Sequence, residues 1–476
     1  MSSVKKNLSW NMLLTVSGYL FPLITFPYIT RVLGADHLGL ANFAMSIVDY
    51  AILFSTLGLT SIGSRYIPQC NDDATKRNSV FNHLVTIHVF LSLAILIVYT
   101  VCVFSFSRLY EQKTLYFVGI LKILTNVFLV EWLFKGMQDF KYITIRTLVI
   151  RIIYVFAIFL LVRNKDDYDI YFYVTIAHVV VNSIVNWRYS KKYVDFNLSI
   201  KGCKEYLFPV FSMGVNRILL SFYFTFNIIY LGIKCSDANV GYFVTATKIY
   251  GIILSILNAY NGVFVPYLNS LLGKGEMEKY KHYVNNSFSI VSLLSIPLII
   301  GSYMLAPEII RLMAGNNYDQ SILPFRIIII QVLFVGFAQI LENQILLSLK
   351  KFKEVLVCTT LSSFLAIIIL LIFVPKYAEV ASAYSVAIPH FFELVLLYFY
   401  SKKFIDIRLP YKELIINTVI CLPIVFTCIV LKCFSINVFI ILIVAGCVSV
   451  VYYFILQYYV IKNSFLRSQV AHFLNK

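Results

Sequence analysis

Apolar residues run along this chain in long, nearly unbroken stretches separated by short polar pieces. Fourteen stretches approach the roughly 20 residues that a bilayer-spanning helix needs. They lie near 11–31, 41–63, 82–106, 114–134, 143–162, 170–187, 207–231, 241–266, 286–306, 322–348, 355–374, 380–400, 414–431 and 438–461. The pieces between them are short: the longest on one side, Pro307–Ser321, has about 15 residues, and on the other, Arg188–Tyr206, about 19. The pattern predicts an all-α polytopic membrane protein with no loop large enough to form a catalytic domain. The first stretch follows Lys5 and Lys6, is too long for a secretory h-region and has no A-x-A site after it. It therefore reads as a retained helix, not a signal peptide.

Composition sharpens this picture. Of the 476 residues, 60% are hydrophobic and 13% charged, against roughly 25% charged in a soluble domain. A soluble enzyme and a disordered or fibrous chain are excluded. The net charge of +17 would point to nucleic acid in a soluble protein, but its distribution says otherwise. The N-terminal tail, the even-to-odd loops and the C-terminal tail carry 26 of the 40 Lys and Arg, the opposite loops 9 and the spans 5. The positive-inside rule places both termini in the cytoplasm, and no nucleic-acid partner is expected. Nine cysteines stand singly, without a CxxC pair or a Cys/His cluster, so neither a disulfide framework nor a metal site is expected. No G-x-x-x-x-G-K-[ST] phosphate loop is present, which excludes an on-board ATPase. A secondary transporter, a channel or an intramembrane enzyme remains.

The chain also echoes itself. Leu33-Gly34 and Gly39-Leu-Ala-Asn-Phe-Ala-Met-Ser46 between the first two spans return as Leu231-Gly232 and Gly241-Tyr-Phe-Val-Thr-Ala-Thr-Lys248 between the seventh and eighth. Asp139-Phe140-Lys141-Tyr142-Ile143 returns as Lys351-Phe352-Lys353-Glu354-Val355. Six spans separate the copies, so the halves share one orientation. This predicts two pseudo-symmetric six-helix lobes, 1–200 and 201–402, around a central cavity. Residues 403–476 would then form two additional helices and a cytoplasmic tail.

A charge at mid-bilayer costs about 2.5–3.5 kcal/mol on insertion scales, so charges inside the spans are the candidate chemistry. The basic set is Lys122, Arg151, Arg217, Lys248 and Arg326, with Arg31 and Arg65 at span ends; the acidic set is Asp49, Glu131, Glu342 and Glu393. A cavity lined by Arg31, Arg65, Arg217 and Lys248 suits an anionic head group, since Arg offers a bidentate fork to phosphate and Lys a point charge. Asp49 and Glu131 are the candidates for proton or sodium coupling. Pro22 and Pro27 interrupt the hydrogen bonds of the first helix and make it a candidate gate. Each of these residues also has a plainer reading as a snorkelling or structurally paired side chain, or a static kink. No catalytic residue, metal ligand or cofactor is expected.

Several motifs resemble a known family. Pro22-Leu-Ile-Thr-Phe-Pro-Tyr-Ile-Thr-Arg31-Val-Leu-Gly34 is similar to its opening signature, and Gly58-Leu-Thr-Ser-Ile-Gly63-Ser-Arg65 to the end of its second helix. Glu131-Trp132-Leu-Phe-Lys-Gly136 with Asp139-Phe-Lys-Tyr-Ile-Thr144 is similar to its fourth-helix motif, the most specific match. Gly241-Tyr242 with Lys248-Ile249, Leu305-Ala-Pro307-Glu308-Ile-Ile-Arg311 and Val374-Pro-Lys-Tyr377 follow in the family's order. The family is that of the Wzx-type, O-antigen polysaccharide flippases of the multidrug/oligosaccharidyl-lipid/polysaccharide exporter superfamily. The resemblance implies a MATE-like two-lobe fold in the bacterial inner membrane. It implies turning of an undecaprenyl-diphosphate-linked oligosaccharide from the cytoplasmic to the periplasmic leaflet, possible proton or sodium coupling, and other polysaccharide assembly proteins as possible partners. The chain departs from the family at Phe226-Asn227-Ile228, where relatives often carry a charged residue. Two rival readings are a small-molecule or drug exporter on the same fold and, less well supported, an intramembrane glycan polymerase, which would need a sizeable external loop.

Overall fold

The computed structural model describes residues 2–70, 73–433 and 438–459, and the regular structure among them is entirely helical. The expected tail beyond 461 lies outside the described residues. Eleven helices are long and apolar enough to cross a membrane, or twelve if the bent pair Lys204–Ser221 and Thr225–Lys234 forms one span. Two are of double length, Ser9–Thr56 with 48 residues and Phe352–Ser401 with 50. At about 1.5 Å per residue each exceeds twice the roughly 30 Å hydrocarbon core. Each is broken part-way, at Gly34 (φ 71°, ψ 175°) and at Ala378 (φ 43°, ψ −124°). Gly34 tolerates this backbone because it has no Cβ.

The chain divides into two compact units, Met1–Val244 with Leu370–Ala378, and Thr245–Ile369 with Glu379–Lys476. The first holds α1 (Ser2–Thr56), α2 (Leu59–Tyr66), α3 (Ala74–Ser105), α4 (Ser107–Glu111), α5 (Lys113–Asn126), α6 (Glu131–Gly136), α7 (Phe140–Leu161), α8 (Tyr168–Ser190), α9 (Lys204–Ser221) and α10 (Thr225–Lys234). It also holds the start of α11 (Asp237–Gly273). Three expected spans are not continuous here. The 41–63 stretch breaks at Leu57 (φ 41°), where the Gly58 N–H donates to the Val210 carbonyl (3.1 Å) instead of its own helix. The 114–134 stretch tightens into a 3-10 turn at Val127–Leu129 before Val130 (φ 5°, ψ 31°). The 207–231 stretch bends by 49° between α9 and α10. Glycine permits the close packing around these breaks. A Cβ on Gly58 would strike Val210 and Met213, one on Gly63 the Trp132 ring, and one on Gly136 the Ile67 side chain. Trp132, Leu133 and Phe134 are buried in the same core as Phe81 and Ile143.

The second unit holds the rest of α11, then α12 (Met277–Met304), α13 (Ala306–Ala314), α14 (Ile322–Gln339) and a π-helical turn at Ile340–Leu346. The outer parts of α15 (Phe352–Ser401) follow, then α16 (Tyr411–Ile420), α17 (Leu422–Cys433) and α18 (Val438–Tyr459). Its interior is tied by neutral amides. Asn261 donates to Gln339 (2.7 Å), Gln339 to Asn258 (2.8 Å) and Gln344 to Asn261 (2.8 Å). The last three helices pack through Cys421, Ile424, Cys428, Ala445 and Tyr453 onto Leu293 and Leu305.

The units repeat local devices. Gln138 (φ 57°) and Lys350 (φ 61°) make the same left-handed turn in the two Asp139 and Lys351 echoes. The next N–H bonds five residues back in both, to Phe134 at 2.9 Å and Leu346 at 2.7 Å. Around Gly39 and Gly241 the packing is reciprocal within the first unit: a Cβ on Gly39 would strike the Asp237 carbonyl, and one on Gly241 the Ala35 carbonyl. A third echo emerges only in the structure. Ser190-Lys191-Lys192-Tyr193-Val194-Asp195 and Ser401-Lys402-Lys403-Phe404-Ile405-Asp406 each lead into an extended segment held by one asparagine. Asn82 donates to the Asp195 carbonyl (3.0 Å) and accepts from the Asn197 N–H (2.9 Å). Asn285 does the same with Asp406 (3.2 Å) and Arg408 (2.8 Å).

Candidate functional site

The two embedded acids of the first unit, Asp49 and Glu131, each meet a cation. On α1, Asp49 receives the Lys122 ammonium of α5 at 2.5 Å; the Lys122 side chain is 10% exposed and that of Asp49 47%. Glu131 opens α6 directly after the Val130 break and is held by Lys135 one turn on (3.0 Å) and by Arg146 of α7 (3.2 Å). Arg146 is buried and also bonds the Asn186 side chain. Asn186 in turn donates to the Leu129 carbonyl (2.7 Å), so it caps the broken fourth span. Arg151, next along α7, donates to Ser17 of α1 at 2.5 Å. Arg146 is missing from the sequence-derived candidates because it lies within one turn of the 143–162 edge, where a cation reads as a loop charge. Its helical position just inside that span was the available signal.

The expected head-group cations take several roles. Arg217 of α9 donates to the Leu57 carbonyl (3.1 Å), which the break leaves without a helical partner. Arg65 is exposed in the last turn of α2, the short helix that starts after that break. Arg31 is exposed and donates to the Pro27 carbonyl (3.0 Å). Lys248 is exposed on α11 in the second unit. Pro22 and Pro27 both lie inside α1. Tyr28 ties that helix to the end of α7 through the Val162 carbonyl (2.7 Å), and Ser17, before Pro22, is tied to α7 through Arg151.

Between the broken second and fourth spans lies a cavity of about 170 Å³. Thr56, His88, Asn126, Glu131 and Lys135 line it. Asn126 donates to Thr56 (2.9 Å), and His88 lies 3.4 Å from both. Helix breaks at membrane depth are tolerated where they are buried in protein or line a polar cavity, and this arrangement suits transient binding of a polar group. In the second unit, Glu393 accepts from Thr359 (3.2 Å) and Glu342 lies on the π-helical turn. Among the described residues no two cysteines are bonded, and no three His, Cys, Asp or Glu side chains form a group that could hold a metal.

Solved structures define the class of fold. The structure matches the lipid II flippase MurJ in an inward closed conformation with a TM-score of 0.81 at 15% identity, over 97% of this chain and 100% of that one. It matches an inward-facing MATE-family multidrug resistance transporter at 0.60 and 13% identity, over 80% and 94%. This is the all-α, multi-pass fold of MurJ and the MATE transporters. The chain belongs to the polysaccharide biosynthesis protein family, whose model matches residues 4–272. Among its relatives is a putative O-antigen transporter of Escherichia coli, 23% identical over 380 residues, 77% of this chain and 89% of that protein. Another is a probable low-salt glycan biosynthesis flippase of Haloferax volcanii, 23% identical over 56% of each chain.

Proposed function

We propose that this protein flips undecaprenyl-diphosphate-linked oligosaccharide repeat units from the cytoplasmic to the periplasmic leaflet of a bacterial inner membrane. It does so as a secondary transporter, by alternating access. The observation that carries this reading is the likeness to a putative O-antigen transporter over 89% of that protein's length. The MurJ-like fold and the cations placed within the spans support it.

In this reading each double-length helix is two crossings, which gives fourteen with both termini in the cytoplasm. The lobes are 1–200 and 201–402, and 403–476 is an addition. The matched turns at Gln138 and Lys350 and the matched asparagine clamps at Asn82 and Asn285 support that duplication. Arg31, Arg65, Arg217 and Lys248 attract the diphosphate, with Arg217 also holding the Leu57 break. The first helix bends near Pro22 and Pro27. Asp49 and Glu131 couple transport to a proton or sodium, which must compete with a tethered ammonium or guanidinium. Among the described residues Asp49 has one charged partner, Lys122, and a half-exposed side chain, so it is the more accessible of the two. Other polysaccharide assembly proteins act beside it on the flipped product.

Deletion of the gene tests the reading. Lipid-linked repeat units should accumulate on the inner leaflet, shielded from a probe added outside, and the intact gene should restore surface polysaccharide. Accumulation on the outer leaflet would indicate a polymerase, and normal surface polysaccharide would indicate an exporter of other cargo.

A further inference from the structure

An apolar groove in the second unit carries a cation at its head that the transport mechanism does not use. It has a volume of about 370 Å³ and runs between α14 and α15. Leu323, Ile327, Ile330 and Phe334 form one wall, at the spacing of a single helix face. Tyr384, Ile388 and Phe391 form the other, and the Phe334 and Phe391 rings, 5.0 Å apart, close its deep end. From Leu323 to Phe334 the wall rises about 16 Å, the depth of one leaflet of a roughly 30 Å hydrocarbon core.

Arg326 sits at the opposite end. It lies in the first turns of α14, level with Tyr303 in the last turn of α12, so both are near the membrane surface. Its Nε donates to the Tyr303 carbonyl (3.3 Å), and its guanidinium lies 5.2 Å from the centre of the Tyr303 ring. Among the described residues it has no acidic partner. A second groove supplies the contrast. In the first unit a larger apolar groove of about 540 Å³ also has one arginine, Arg108. There Asp237 takes the guanidinium at 2.5 Å, so that charge is already neutralised.

We propose that the α14–α15 groove binds an anionic membrane phospholipid, with one acyl chain between the helices and the headgroup phosphate on Arg326. The groove supplies a chain-length apolar slot. Arg326 supplies the unspent donors of a guanidinium, poised on an aromatic ring at headgroup level.

The test uses the full-length protein in bilayers of brominated phosphatidylglycerol or phosphatidylcholine, with Tyr384→Trp as a reporter in the groove wall. The three native tryptophans, Trp10, Trp132 and Trp187, all lie in the first unit, so the parent protein provides their background. Brominated phosphatidylglycerol should quench the reporter with about fivefold higher relative affinity than phosphatidylcholine, the worth of one basic residue at an anionic surface. Arg326→Gln should bring the ratio to about one, and Arg326→Lys, which keeps the charge, should hold it above about twofold. A ratio near one in the reporter protein, or a ratio that Arg326→Gln leaves unchanged, overturns the proposal.

Discussion

Glu131 in the first unit sits between Lys135 and Arg146, whereas Asn261 in the second sits between Gln339 and Gln344. Both arrangements satisfy polar groups inside an apolar helix bundle. They differ in what happens when a partner leaves. A neutral amide that loses one hydrogen bond in a membrane protein gives up about 0.6 kcal/mol on average, and at most about 1.7. A buried charge that loses its counter-charge costs about 3–5 kcal/mol. The first unit therefore holds linkages that a proton, a sodium ion or an anionic substrate could exchange with a large change in energy. In the second unit the Asn258, Asn261, Gln339 and Gln344 linkages lock helices at little electrostatic risk, and a separate charged link, Lys432 to Glu308 (3.1 Å), joins α17 to α13. On this argument the proposed coupling acids, Asp49 and Glu131, sit among the exchangeable linkages of the first unit, whereas the proposed head-group cations are divided, with Lys248 in the second.

The largest expected effect is at Arg146. Arg146→Met removes one of the two cations on Glu131 and leaves Asn186 without its charged donor. It should lower the stability of the purified protein by about 3 kcal/mol, read as a fall in the thermal unfolding midpoint. Adding Glu131→Gln should recover part of that loss. If Arg146→Met costs no more than Gln339→Leu in the second unit, the distinction between charged and neutral linkages fails.

Asp49 and Lys122 sharpen the comparison because they are unequally buried. Asp49→Asn strands a buried ammonium, whereas Lys122→Met leaves a half-exposed carboxylate. The first should cost about 2 kcal/mol and the second about half of that. The exchange Asp49→Lys with Lys122→Asp should restore part of the stability. Restored transport in the exchanged protein would show that the pair acts as a tether and not as a coupling site. Gln339→Leu removes a bond to Asn261 and one to Asn258, and should cost only about 1 kcal/mol. It should leave transport near the parent level.

The all-helical, multi-pass character was legible because long apolar runs leave a helix no alternative in a bilayer. The breaks were not. Leu57 and Val130 are apolar residues inside apolar runs, and what breaks the helix at Leu57 is a carbonyl and a guanidinium from Val210 and Arg217, far along the chain. The signatures Gly58–Arg65 and Glu131–Gly136 were recognised as separate motifs. What joins them, the Trp132 ring packed on Gly63, is a tertiary fact. Of the candidate site, the acids Asp49 and Glu131 stand out from their position within the spans alone. Their partners divided by visibility: Lys122 stood well inside a span, while Arg146 stood near an edge and looked like a loop charge.

The smallest effect expected lies just outside the spans, where a charge is held by neutral donors. Asp139 caps α7, accepting from the Tyr142 N–H (3.3 Å) and from the Tyr189 and Tyr193 hydroxyls (2.8 Å each). Burial alone would raise its carboxyl, but the Tyr193 and Tyr189 hydroxyls and the Tyr142 N–H outweigh it and hold the group below the ordinary carboxylate value. A carboxyl depressed in the folded state stabilises fully above its unfolded pKa of about 3.9, and the contribution is lost as pH falls through the lower folded value. The clamp is therefore intact at neutral pH and fails only in acid. Because the site is only part-buried and water screens it, its worth is under about 1 kcal/mol. Asp139→Asn should lower the unfolding midpoint slightly at pH 7 and narrow its gap to the parent protein as the pH is taken below about 4. Tyr189→Phe should give a smaller shift of the same sign, and a gap that widens in acid would show that the tyrosines favour the protonated carboxyl.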